Sequence, residues 1–151
     1  MSDAHPPILH ATGIVIGTTG IAVTGPSGSG KSMTALNLLA AARRAGLFAR
    51  LVADDWLLLE RAPAGVIVMR APPQIAGKME LRGTSIATVP HLDAAVLHLV
   101  LAPGEPQGDD RIPPEGETTE IMKGVRLPVV RLLYRAQGDP LATLAVVRPL
   151  L

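Results

Sequence analysis

The chain has 151 residues, 48% of them hydrophobic, with 14 basic against 13 acidic residues and no cysteine. That is enough for one domain with its own core, and it excludes a disulfide framework or a thiolate metal site. Near-neutral charge, no basic run and a single Trp, Tyr and Phe argue against a nucleic-acid partner.

The longest apolar stretch, Ala94 to Val100, is far too short to cross a bilayer. The first residues lack the basic and apolar regions of a signal peptide, so a cytoplasmic protein without membrane contact is the expectation. Residues 1–7, broken by Pro6-Pro7, read as a loose lead-in to one domain over 8–151. Ile8 to Ile16 and Ile21 to Thr24 flank a Gly-bounded turn, which predicts a hairpin. Met33 to Arg44 is rich in Ala and Leu without a breaker, which predicts a helix, with Gly46 as its left-handed C-terminal cap.

Leu47 to Ala53 is a short apolar run ending at Asp54-Asp55. Trp56 to Glu60 and Val66 to Arg70 read as strands around Pro63-Ala64-Gly65. Pro72-Pro73 is expected to open a short helix through Lys78 and Glu80. Ser85 to Val89 and Ala94 to Leu101 are further strand candidates. Pro103 to Gly116, dense in Pro, Gly and acidic residues, reads as an exposed loop. Glu117 to Arg135 reads as extended around Pro128, and Leu141 to Val147 fits a last helix or strand. No internal repeat is present.

The strongest signal is Gly25-Pro26-Ser27-Gly28-Ser29-Gly30-Lys31-Ser32, a phosphate loop between a predicted strand and a predicted helix. Its glycines reach backbone angles closed to other residues, so successive N–H groups turn toward phosphate oxygens. Lys31 brings an ammonium to the β- and γ-phosphates, the Ser32 hydroxyl is placed for Mg²⁺, and the helix start adds its positive end. The expected ligand is ATP or GTP with Mg²⁺. The motif specifies binding far better than it specifies a reaction.

Phosphoryl transfer also needs carboxylates, to hold Mg²⁺ and to take the nucleophile's proton. Asp54-Asp55 stands at the end of an apolar run, where a strand delivers side chains to the sheet's carboxyl edge. Two adjacent Asp are by themselves an ordinary polar turn; beside a phosphate loop they become candidates for the site. Glu80 is the other nearby acid, with a solvated helix-end charge as its plainer reading. His10 has the plainer reading of a packed histidine, and Arg43-Arg44 that of an electrostatic helix cap. His91 and His98 carry no metal-pair spacing.

Taken in order, these pieces resemble the catalytic, C-terminal domain of the HPr kinase/phosphorylase family, in its short proteobacterial form. The likeness is carried by His10 ahead of the phosphate loop, by Leu51-Val52-Ala53-Asp54-Asp55, and by Ala71-Pro72-Pro73 followed by Glu80-Leu81-Arg82-Gly83. It spans residues 8 to 135 and weakens after Gly83. The resemblance implies an α/β fold of the phosphoenolpyruvate-carboxykinase kind, a P-loop single domain around a largely central mixed β-sheet. It also implies ATP and Mg²⁺ as cofactors and the phosphocarrier protein HPr as the partner phosphorylated on serine. Residue by residue, Asp54 would be the base, and the acid in the reverse reaction. Asp55, Glu80 and Ser32 would serve Mg²⁺, His10 would orient or polarise near the phosphates, and Arg82 would support the geometry.

The sequence departs from the family in three places. The interval from Lys31 to Asp54 is longer than usual, with Ala40 to Phe48 as the place of the insertion; Met33 replaces a common acidic residue; and Tyr134-Arg135-Ala136-Gln137-Gly138-Asp139 stands where longer members carry a Gly-Arg tied to phosphorolysis. Kinase activity is therefore better supported than its reversal. Two rival readings stay open at this point. One is a metabolite kinase, disfavoured because the only long loop holds a single Arg, Arg111. The other is a non-catalytic nucleotide sensor. A homo-oligomer is compatible with the sequence.

Overall fold

The computed structural model describes residues 6–135 and 138–148. Residues 1–5 of the expected lead-in, Ala136-Gln137 and the last residues of the 8–151 unit lie outside the described residues.

The chain runs β1 (Ile8–Leu9), β2 (Ala11–Ile16), β3 (Thr19–Thr24), α1 (Lys31–Arg44), β4 (Ala49–Ala53), β5 (Leu57–Arg61), β6 (Ile67–Arg70), β7 (Lys78–Leu81), β8 (Ser85–Thr88), β9 (Ala94–Val96), β10 (Leu99–Pro103), β11 (Thr118–Met122), β12 (Val125–Leu132) and α2 (Pro140–Val147). Six strands form the central sheet in the order β11-β12-β10-β3-β2-β4. The sheet is mixed: β10 is parallel to both β3 and β12, whereas β2 is antiparallel to β3 and β4. This is the expected α/β architecture around a mixed central sheet.

Every residue of β2 is buried, because the sheet is covered on both faces. On one face Ile14, Ile16, Ile21, Val23 and Leu51 pack against Ala35, Leu38, Leu39 and Ala42 of α1. Those helical residues recur at the spacing that makes one apolar stripe. On the other face Val15, Ala22 and Val52 meet Leu57, Leu59, Ile67 and Met69. These last four belong to a second, antiparallel sheet, β1-β5-β6-β9. The two sheets approach closely at Gly20, where a Cβ would lie 1.7 Å from the Val96 carbonyl oxygen.

The helix begins two residues earlier than predicted, at Lys31, and stops as predicted. Gly46 has φ +78°, its N–H donates to Arg43 O, and Leu47 N–H donates to Ala42 O, which together close a Schellman cap. Because Leu47 is consumed in that cap, β4 starts only at Ala49.

The structure corrects three expectations. Pro72-Pro73 opens no helix through Glu80: a single 3-10 turn, Pro73–Ile75, precedes strand β7, which pairs with β8. Gly77, at φ +74°, lies against the His91 ring and redirects the chain there. Ala94 to Leu101 is not one strand. Leu97 N–H donates to Ile67 O and His98 N–H to Gly20 O, so the segment crosses from the outer sheet to the central one, with β9 and β10 on either side. Glu117 to Arg135 is a hairpin turning at Lys123-Gly124 rather than a single extended run. Leu141 to Val147 resolves as helix, with Asp139 accepting N–H bonds from Leu141 and Ala142 ahead of Pro140 at the first helical position.

Candidate active site

The phosphate loop lies between β3 and α1. Gly25, Gly28 and Gly30 hold φ of 147°, 81° and 96°, a region costly for any residue with a Cβ. At Gly25 a Cβ would also meet Ser29 Oγ at 2.6 Å. Thr34 N–H donates to Gly30 O, starting the helix. No side chain caps that helix and no acidic residue stands in its first turn, so its N-terminal amides and dipole face the loop. Ser29 Oγ is buried without a hydrogen-bond partner.

Asp54 reaches the same place through a bulge. Gly13 pairs with Ala53 but Ile14 with Leu51, so Val52 is the extra residue. A bulge re-aims the side chains that follow it. Leu51 packs toward α1, whereas Val52 and Ala53 both pack toward the outer sheet. Asp54 therefore returns to the helix side, the side it would have missed under strict alternation. There Oδ1 accepts the Ser32 hydroxyl at 2.7 Å and the Thr12 hydroxyl at 2.8 Å, and Oδ2 accepts Glu80 N–H at 3.2 Å.

Asp55 follows in the left-handed region, with φ 68°, a conformation Asp adopts more readily than most residues. That turn carries its carboxylate to Lys31, Nζ to Oδ1 2.8 Å. The two neighbouring carboxylates thus face one site by a bulge before them and a positive φ between them.

These groups line one open cavity of about 270 Å³, formed by the loop residues Ser27, Gly28, Gly30, Lys31 and Ser32 together with Met33, Asp54, Asp55, Glu80, Arg82 and Arg135. Lys31 is buried, while Glu80 and Arg82 stand exposed on the rim on the β7–β8 hairpin. Of the expected residues, Gly25, Pro26 and Ser29 belong to the loop without lining the cavity, and His10 stands apart: it is exposed between β1 and β2 and packs on Trp56, ring centroids 4.6 Å apart.

Sequence reasoning passed over Thr12 and gave Arg135 no firm role. Thr12 is fully buried in β2; a lone hydroxyl in an apolar strand was the available signal. The Arg135 guanidinium donates to Gly28 O. Beside it Tyr134 donates its hydroxyl to Thr24 O at 2.7 Å, and burial pushes that phenol well above its ordinary pKa, so it stays a neutral donor.

The donor set fits a magnesium nucleotide. Loop amides and Lys31 suit phosphate oxygens, and Mg²⁺ ordinarily takes one or two carboxylates together with substrate phosphates rather than an all-protein cage. No group of three or more His, Cys, Asp or Glu that could hold a metal ion is present among the described residues.

Comparison with known proteins agrees with the geometry. The family described as HPr Serine kinase C-terminal domain matches residues 4–95. The chain is 40% identical over 81 residues to the HPr kinase/phosphorylase of Halalkalibacterium halodurans, covering 54% of this chain and 24% of that protein. It is 37% identical over 78 residues to the one from a Geobacillus species, covering 52% and 23%. The chain thus spans about a quarter of the length of these curated relatives. Among solved structures, the Hpr(Ser) kinase/phosphatase from Coxiella burnetii superimposes with a TM-score of 0.75 at 25% identity, over 94% of this chain and 88% of that one. The phosphate loop, the acidic pair and the sheet that joins them are those of one lineage: the chain belongs to the HPr serine kinase C-terminal domain family.

Proposed function

We propose that the protein is an ATP-dependent serine kinase of the phosphocarrier protein HPr, acting in the cytoplasm. The observation that carries this reading is the direct bond from the phosphate-loop Ser32 hydroxyl to Asp54, which joins the two motifs into one centre. Loop amides, Lys31 and Arg135 would hold the phosphates, and Ser32, Asp55 and Glu80 would serve Mg²⁺, which supplies charge neutralisation when bound. For Lys31 to reach phosphate it must leave Asp55, freeing that carboxylate for the cation. Oδ1 of Asp54 already accepts two hydroxyls, so Oδ2, with one long N–H bond, is the atom left to take the serine proton. Arg82 would act from the rim, on the geometry of the site, and His10, which packs on Trp56, is given no role in it. Catalysis of this kind is positioning and charge stabilisation rather than covalent chemistry.

The Ser32–Asp54 bond also favours a second assignment, in which Asp54 stands on the metal side and Asp55 takes the proton. Asp54→Asn and Asp55→Asn separate the two. Loss of the base should abolish transfer while leaving magnesium-nucleotide affinity within a few-fold; loss of the metal-side carboxylate should weaken that affinity as well.

The reading as a whole is tested by measuring ATP consumption with HPr, with small hydroxylated metabolites, and with no acceptor. Turnover only with HPr supports it. Turnover with a small compound, or tight nucleotide binding without turnover in any mixture, would replace it with the metabolite-kinase or sensor reading.

A further inference from the structure

Thr12 has no part in the phosphate loop or the acidic pair, yet it is bonded to both aspartates. It is fully buried in a strand whose other residues are apolar or glycine. A Val would serve the strand equally well, since both residues are β-branched. A buried hydroxyl without a partner costs free energy; this one has two. Its O–H donates to Asp54 Oδ1 at 2.8 Å, and its oxygen accepts Asp55 N–H at 3.3 Å. One bond turns the Asp54 carboxylate so that Oδ1 meets Ser32 and Oδ2 faces the Glu80 amide. The other holds the backbone of Asp55 at its left-handed φ of 68°, the conformation that brings the Asp55 carboxylate to Lys31.

We propose that Thr12 is a positioning residue: a single buried hydroxyl that fixes the relative orientation of the two carboxylates serving magnesium and proton transfer. The proposal rests on the magnesium-nucleotide reading of this site. It assigns Thr12 no contact with nucleotide, so phosphate binding through the loop and Lys31 should be indifferent to it, while steps that need both carboxylates in register should not.

Thr12→Val removes the hydroxyl at nearly constant volume, and Thr12→Ser keeps it. Calorimetric titration with ATP in EDTA and with Mg·ATP, thermal melts, and steady-state transfer to HPr are measured for both variants. Thr12→Val is expected to melt as a folded protein and to bind ATP in EDTA within about twofold of wild type. It should lose most of the affinity gained from Mg²⁺, with KM for Mg·ATP rising in step, and its kcat should fall about 10- to 100-fold, the range a small misplacement of catalytic groups produces. Thr12→Ser should restore both properties.

Wild-type magnesium response and kcat in Thr12→Val would overturn the proposal. So would Thr12→Ser behaving like Thr12→Val, which marks the loss as one of packing rather than of the hydroxyl. If wild type binds Mg·ATP but phosphorylates nothing, the kinase reading fails while the magnesium-dependent affinity still decides the role of Thr12. If wild type gains no affinity from Mg²⁺, the site reading and this proposal fall together.

Discussion

At the residue scale, Lys31 and the acidic pair carry the account. Lys31 is a buried ammonium whose ion-pair partner is Asp55, so removing it deletes the proposed phosphate ligand and leaves a carboxylate facing the proposed anion site. Lys31→Ala should reduce nucleotide affinity by two orders of magnitude or so and abolish transfer, both measurable by calorimetry and phosphate release; near-normal binding would contradict the assignment. Asp54→Asn should keep nucleotide binding and lose transfer, read by the same two measurements. These residues were legible in the sequence because phosphate binding needs a fixed motif, and because an apolar run ending in two Asp has one obvious place to point. Thr12 was not legible: in β2 it looks like any β-branched strand residue, and only the fold brings it, 42 positions away, against Asp54.

At the element scale, the Val52 bulge and the glycine contacts between the sheets decide where the site forms. Gly20 is the tightest of those contacts: its missing Cβ would sit 1.7 Å from backbone oxygen of Val96, which cannot swing aside as a side chain does. Gly20→Ala should cost about 1–3 kcal/mol in urea unfolding. Gly13→Ala, whose Cβ would meet the flexible end of Leu57 at 2.6 Å, should cost clearly less; equal costs would contradict this view of the interface. The helix, its Gly46 cap and the first hairpin followed from local chemistry. The expected helix through Glu80 failed because Pro at a first turn permits a helix without requiring one, and Gly77 with the β8 partner decided for strand. The break between β9 and β10 depends on which sheet each half joins, which no local pattern encodes.

At the scale of the whole molecule, a mixed sheet covered by α1 on one face and a smaller sheet on the other carries the candidate site just past the ends of β3 and β4. At the far end of the sheet Glu117 and Arg131 form a two-bond ion pair, at 2.8 and 2.7 Å, which ties the segment before β11 to β12. The Arg131 guanidinium holds the Glu117 carboxyl below its ordinary pKa. Its folded pKa is therefore the lower one, so the pair's stabilisation is complete above the unfolded value of about 4.3 and fades as pH falls through the folded value. The pair is partly exposed and screened, so Glu117→Gln should cost about 1 kcal/mol or less at pH 7. The difference from wild type should narrow as pH falls below the ordinary glutamate range, and a gap in urea unfolding that stays undiminished in acid would contradict the linkage. No described helix is long and apolar enough to cross a membrane. The most direct test of the central claim is to incubate the protein with Mg²⁺, γ-labelled ATP and HPr, and to map the labelled residue on HPr by phosphopeptide analysis, with Lys31→Ala alongside. The account predicts label on one HPr serine with the wild-type protein and none with the variant; bound nucleotide with no label on HPr, or equal labelling by Lys31→Ala, would contradict it.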